Sequence, residues 1–231
     1  MQAGTVRRTL LMILCLVLLV PLISLGQSPS YWADIFSSTQ VNPLWQWENE
    51  TPAGWSLTDN PGHLRIYTAS GGFLGTPPPP KNVLLTSIGQ ELDCQLDVHM
   101  YFEPSENFQY AGVIFYNNPD DFLAFGRAYC NYTEGGCVGD GLYIDHEESG
   151  VYQPQPAIVP WFGEDIYLRV VRIGSTYTFY ASSDGSQWTT VATKHGVALR
   201  PAYVGIYAVN ATEEAGSIPA DFDYFRISPP H

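Results

Sequence analysis

Between Asp165 and Trp188 the sequence DIYLRVVRIGSTYTFYASSDGSQW alternates with a period of two, broken once by a glycine. In its first arm Ile166, Leu168 and Val170 fall on one face and Tyr167, Arg169 and Val171 on the other. In the second, Tyr177, Phe179 and Ala181 alternate with Thr176, Thr178 and Tyr180. Side chains swap faces at each step along a strand, so this period fits two half-buried strands and no helix. Gly174-Ser175 stands where a two-residue hairpin turn belongs, because glycine reaches positive φ without a Cβ clash. Ser183-Asp184-Gly185-Ser186 is a second turn and hands Trp188 to a further strand. Two long amphipathic arms need another layer over their apolar face, which selects an all-β sandwich.

The rest of the chain agrees. Fifteen Tyr, eleven Phe and six Trp favour pleated surfaces, and no segment keeps a helical period. Strands are expected at Trp45–Glu48, Trp55–Thr58, Leu64–Tyr67, Val83–Thr86, Glu91–Phe102, Phe108–Asn117, Phe122–Tyr129, Gly141–Glu147, Ala202–Asn210 and Asp221–Ile227. With the hairpin this makes about a dozen, the number and spacing of a two-sheet antiparallel jelly roll. Both faces of Phe108–Phe125 carry apolar or aromatic residues, as for strands with one face in the core and the other in a lined groove, or for inner strands covered on both sides. Four prolines, Pro77–Pro80, place the preceding segment in a surface loop. Ser182–Trp188 nearly matches the Asp-box turn of sialidase propellers, but it lacks one residue and occurs once, whereas a propeller repeats it blade by blade.

Residues 1–26 are of another kind. Arg7-Arg8 precede an apolar run from Leu10 to Leu25, interrupted by Pro21, and small residues close it. This is the pattern of an export signal or, if uncleaved, of an N-terminal anchor. Residues 27–40 are then a polar leader and residues 41–231 the sandwich. A formal charge of −13 repels polyanions, which excludes nucleic acid as a partner and leaves membrane contact to the N-terminal segment. The expected location is secreted or extracytoplasmic. There, Cys130 and Cys137, flanking a glycine-bearing loop, are expected to form a disulfide, while Cys94 shares the inward phase of Leu96, Val98 and Met100 as a buried thiol.

Outward aromatic residues can stack on a sugar ring while nearby polar groups bond its hydroxyls. Tyr116, Arg127, Tyr143 and Tyr180 on the long strands are the candidates. Asp221 and Asp223 alternate onto one face of the last strand and, with Glu48 on the first, are candidate ligands for a structural calcium ion. Asp145 and Glu147 share a face, but general acid and base must oppose one another across a substrate, and no catalytic motif accompanies them.

Trp45–Asn49, Trp55-Ser56-Leu57, Gly62–Ile66, Tyr110–Phe115, Tyr167–Val170, the Tyr177–Trp188 arm and Ala220–Ile227 together resemble the concanavalin A-like domain at the C-terminus of family 43 glycoside hydrolases of the β-xylosidase type. The resemblance runs from about Trp45 to the end. It implies a jelly roll with a concave face, and in those enzymes the catalytic carboxylates sit on a separate propeller for which this chain has no room. The expected function is therefore an exported non-catalytic module binding a glycan or a cell-surface protein on its concave sheet face. The alternatives are a small glycoside hydrolase or an accessory subunit of one, and a structural or adhesive module without a small ligand.

Overall fold

The computed structural model describes residues 31–74, 78–132, 137–155, 158–211 and 215–231. The expected export signal or anchor, residues 1–26, lies outside them. Strands in chain order are β1 (Trp32–Asp34), β2 (Gln46–Glu48), β3 (Trp55–Ser56), β4 (Leu64–Tyr67), β5 (Ala69–Ser70) and β6 (Val83–Ser87). Next come β7 (Cys94–Tyr101), β8 (Gln109–Asn118), β9 (Asp121–Cys130), β10 (Gly139–Glu148), β11 (Val151–Tyr152) and β12 (Val159–Pro160). The last are β13 (Asp165–Ile173), β14 (Thr176–Ser182), β15 (Thr189–Lys194), β16 (Tyr203–Asn210) and β17 (Pro219–Ser228).

They form an all-β sandwich of two sheets. One has eight strands in the order β15-β14-β13-β7-β17-β4-β3, with β1 also on β17; the other has nine in the order β11-β10-β9-β8-β16-β6-β2, with β12 on β10 and β5 on β16. The hairpin forms as its alternation requires: Val170 pairs with Phe179 and Ile173 with Thr176, and Gly174 closes the turn at φ +56°. More strands exist than the dozen expected, because two- and three-residue pieces such as β5, β11 and β12 are too short to show a period. The sheet also reaches into the stretch expected as a leader, since Ala33 of β1 pairs with Arg226 and Phe36 packs in the core.

Between the sheets, Leu96, Val98, Ile166, Leu168 and Val170 of one layer meet Val113, Phe115, Leu123, Phe125 and Ile206 of the other. Rings bridge the layers edge to face, Phe115 to Tyr177 at 5.0 Å and Phe125 to Phe179 at 5.3 Å. Each large side chain taken wholly out of water stabilises the fold by about 1.5–3 kcal/mol. Cys94 is in this core as a free thiol, and burial pushes its thiol up to about 12.

Candidate functional site

The strands of the nine-stranded sheet are apolar on both faces. Their inward residues join the core, while Val83, Leu85, Tyr110, Ile114, Tyr116, Phe122, Ala124, Tyr143 and Tyr207 build a second cluster on the outer face. Such a face needs a cover. Phe73, in the loop between β5 and β6, supplies part of it, its ring lying 5.2 Å from Phe122 and 5.1 Å from Tyr207. The loop is tied down by Gly71 N donating to Asn210 O at 2.9 Å. Beside the Phe73 plug the described residues enclose a cavity of about 330 Å³, walled by Phe73, Phe108, Tyr110, Tyr129, Tyr143 and Ile158 among others.

Asp145 on β10 is the one acid among the described lining residues. Burial, reinforced by the neighbouring Glu147 carboxylate, pushes its carboxyl up to about 7. Gln155 Nε2 donates to Asp145 Oδ1 at 3.2 Å, and Gln155 Oε1 accepts from Ile144 N at 3.2 Å. Tyr152, half exposed, lies against Gln155 and Asp145; burial is the main cause that raises its phenol. Other polar groups of the wall are already engaged: Tyr110 Oη donates to Tyr143 O at 2.9 Å, and Tyr143 Oη donates to Gly139 O at 2.9 Å while accepting from Val138 N at 3.2 Å. Gly126 is required under this site, because a Cβ there would stand 2.1 Å from Ala111 O and 2.9 Å from Tyr110 Cε2.

A second hollow of about 330 Å³ adjoins the first, sharing Phe108 and Tyr129, and its wall is polar: Ser105, Glu106, Asn107 and Asn131, with Tyr132. Asn107 and Asn131 are fixed by two mutual hydrogen bonds of 2.7 and 2.8 Å. Phe108 sits on the partition in the left-handed region at φ +69°, a conformation that a bulky residue holds only when its surroundings impose it. Here they do: Phe108 N donates to Tyr129 O at 2.8 Å and Phe108 O accepts from Ala211 N at 3.1 Å. Its ring stacks on Tyr132, centroids 5.4 Å apart.

Of the four sequence candidates for ligand contact, the fold brings only Tyr143 to the cavity. Tyr116 shares the outer face but is buried near the Phe73 ring. Arg127 points inward instead: it is 1% exposed, its Nε donates to Asp140 Oδ1 at 2.8 Å, and its other nitrogens bond Asp140, Phe102 O and Gly163 O. Its flanking small residues mark a strand packed tightly, not an opening. Tyr180 stands on the outer face of the other sheet, beside Arg169. The fold separates these four because adjacent strand positions face opposite ways and β14 belongs to the opposite layer.

The calcium ligands do not converge either. Asp221 forms a bidentate pair with Arg65, both bonds 2.7 Å, and Asp223 Oδ2 bonds His99 Nδ1 at 2.8 Å. Glu48 is on β2, in the other sheet. Among the described residues no three His, Cys, Asp or Glu side chains gather in one place. The Cys130–Cys137 disulfide is present, with Cα atoms 5.3 Å apart, and both cysteines line the cavity. Asp145 and Glu147 follow one strand face, yet only Asp145 reaches the cavity, so they do not oppose one another across it.

Phe73 and Gln155 carry no strand signal, since both lie off the long strands, and Phe108, expected as the first residue of a strand, stands one residue before β8. An apolar pair, Phe73-Leu74, in a glycine- and proline-rich loop was the available clue: such a pair belongs against a surface.

Two sheets with this strand order and an apolar outer face define a concanavalin A-like sandwich. The family model "Beta xylosidase C-terminal Concanavalin A-like domain" matches residues 33–228, and the chain belongs to that family. A putative β-xylosidase of Escherichia coli K12 is 28% identical over 221 residues, covering 87% of this chain and 39% of that protein. Among solved structures, the GH43 protein BlXynB of Bacillus licheniformis matches with TM-score 0.71 and 22% identity over 84% of this chain and 38% of its own. A xylan β-1,4-xylosidase of Bacillus halodurans gives 0.67 and 21%, over 87% and 39%. The chain thus spans about two fifths of the length of these relatives. A Saccharomyces cerevisiae protein described as functionally unknown gives 0.64 and 15%, over 81% of this chain and 97% of its own.

Proposed function

We propose that this protein is an exported, non-catalytic, carbohydrate-associated module that holds a saccharide on the outer face of its nine-stranded sheet. The observation that carries the proposal is the pair of adjoining hollows there, with the stacked rings of Phe108 and Tyr132 beside fixed amides and a carboxylate. Rings of this kind pack on the apolar face of a sugar while amides and acids bond its hydroxyls. The relatives' names make xylose-type saccharides the first to test, and the disulfide supports an oxidising, extracytoplasmic setting. The chain then acts beside a glycoside hydrolase or at a cell surface. The test is titration of the full chain with xylo-oligosaccharides: binding that weakens at least about tenfold in Tyr132→Ala, the loss expected of one stacking contact and about 1.4 kcal/mol, supports it. Unchanged binding in Tyr132→Ala, or no binding of any saccharide on a glycan array, overturns it. Release of reducing sugar abolished by Asp145→Asn would instead establish the hydrolase alternative.

A further inference from the structure

We infer that the site takes a two-part ligand, a saccharide bearing an apolar ring, with the sugar in the polar hollow and the ring in the cavity against Asp145. The inference rests on the carbohydrate reading above and names the ligand class. Its basis is the unlike chemistry of two compartments of equal size. The polar hollow is lined by Asn107 and Asn131, bonded to one another, and by Glu106, whose Oε2 accepts from Gly216 N. The inner cavity is walled by Phe73, Leu74, Tyr110, Ile158 and Val209.

A sugar ring pushed wholly into the inner cavity would bring several hydroxyls into a space where Tyr110, Tyr143 and Gln155 already bond protein atoms. Buried hydroxyls without partners are costly, so that space selects against a polyol. It suits an apolar ring: a cavity of ~150 Å³ lined by apolar side chains is enough for benzene, and here about 330 Å³ is present. Asp145, at one wall, supplies a single polar anchor for a substituent on that ring. Phe108 is common to both spaces and is held at φ +69° by bonds to Tyr129 and Ala211, so the strained residue forms the partition across which the two parts of the ligand join.

The experiment compares phenyl β-D-xylopyranoside, methyl β-D-xylopyranoside and phenol by calorimetric titration of the full chain from a non-glycosylating host, since Asn131 opens an Asn-x-Thr sequon. The phenyl glycoside is expected to bind about tenfold or more tightly than the methyl glycoside, as burial of a phenyl ring predicts. Ile158→Trp and Leu74→Trp, both on loops at the inner cavity, each fill it; the phenyl advantage should vanish while methyl glycoside affinity stays within about twofold. Thermal melting of each variant confirms its fold, and either one suffices. Equal affinities for the two glycosides, or a phenyl advantage that survives both tryptophans, overturns the two-part ligand and leaves the saccharide reading standing. Phenol binding as tightly as its glycoside, with no methyl glycoside binding, overturns both.

Discussion

The two outer faces of the sandwich solve opposite problems. On the eight-stranded sheet many of the outward residues are charged or polar aromatic, and these bond one another. Arg65 pairs with Asp221 and Asp97 with Arg169, while His99 bonds Asp165 at 2.7 Å and Asp223 at 2.8 Å. Tyr167 stacks on His99 with centroids 3.9 Å apart, and Trp188 covers Arg169 at 3.9 Å. A face whose polar groups bond one another needs no cover. The outer face of the nine-stranded sheet is apolar and must be covered by loops, and the space its loops leave is the cavity. A ligand site is therefore expected where the cover formed by the described residues leaves space, not where charges are dense.

The largest effect should come from removing the cover. Phe73→Ala deletes a buried ring that touches Phe122 and Tyr207, and should cost about 3–5 kcal/mol in a denaturant melt. Tyr180→Ala on the opposite face, a partly exposed residue, should cost well under half as much. Comparable losses would mean that both faces are equally part of the core, and the contrast would fail.

The next effect depends on pH. Because the Asp145 carboxyl is raised from 3.8 to about 7, the folded state holds its proton more tightly than the unfolded state. Stability from this group is complete below about pH 4 and is lost as pH rises through 7. Asp145→Asn keeps the contact with Gln155 and removes that loss, so its melting temperature should gain on the wild type from pH 5 to pH 8. The three-unit shift sets a ceiling of about 4 kcal/mol. His146 on the inward face acts in the opposite sense: burial holds it down to about 4, so its contribution is lost as pH falls from 6.5 through 4. An Asp145→Asn variant that merely tracks the wild type across pH 5–8 would remove the titrating acid from the cavity.

How far the sequence reveals this contrast depends on chain locality. Period two exposes every long strand and its faces, so the hairpin, the inward phase of Cys94 and the apolar outer face of Phe108–Phe125 are all legible from residues alone. The disulfide is legible because its loop is short. Pairing across the sheet is not: nothing local says that Arg127 will meet Asp140 or that Asp221 will meet Arg65, since those contacts depend on register between strands. Nor does a loop residue announce what it will cover, which is why Phe73 and Gln155 emerge only with the fold. Short strands such as β1 hide for a related reason, being held by β17 and not by their own pattern.

On the charged face, breaking one partly buried pair tests whether the lattice is structural. Asp221→Ala strands the Arg65 guanidinium, whose charged form the Asp221 carboxylate strongly favours. A loss of about 1–3 kcal/mol is expected, well below that of Phe73→Ala, and with saccharide binding unchanged. Weakened saccharide binding in this variant would relocate the site to the eight-stranded sheet.

The smallest effect expected concerns calcium. Asp223 is bonded to His99 and is partly accessible to solvent, so Asp223→Asn should cost about 1 kcal/mol or less. Calcium in place of chelator should not move the melting temperature of either protein, because Asp221 is already bonded through both oxygens to Arg65 and Glu48 belongs to the other sheet. A calcium-dependent rise in the wild type that disappears in Asp223→Asn would show that the ion displaces His99 from Asp223. The charged face would then be a binding surface in its own right, and incomplete cover would no longer distinguish the functional side of the sandwich from the structural one.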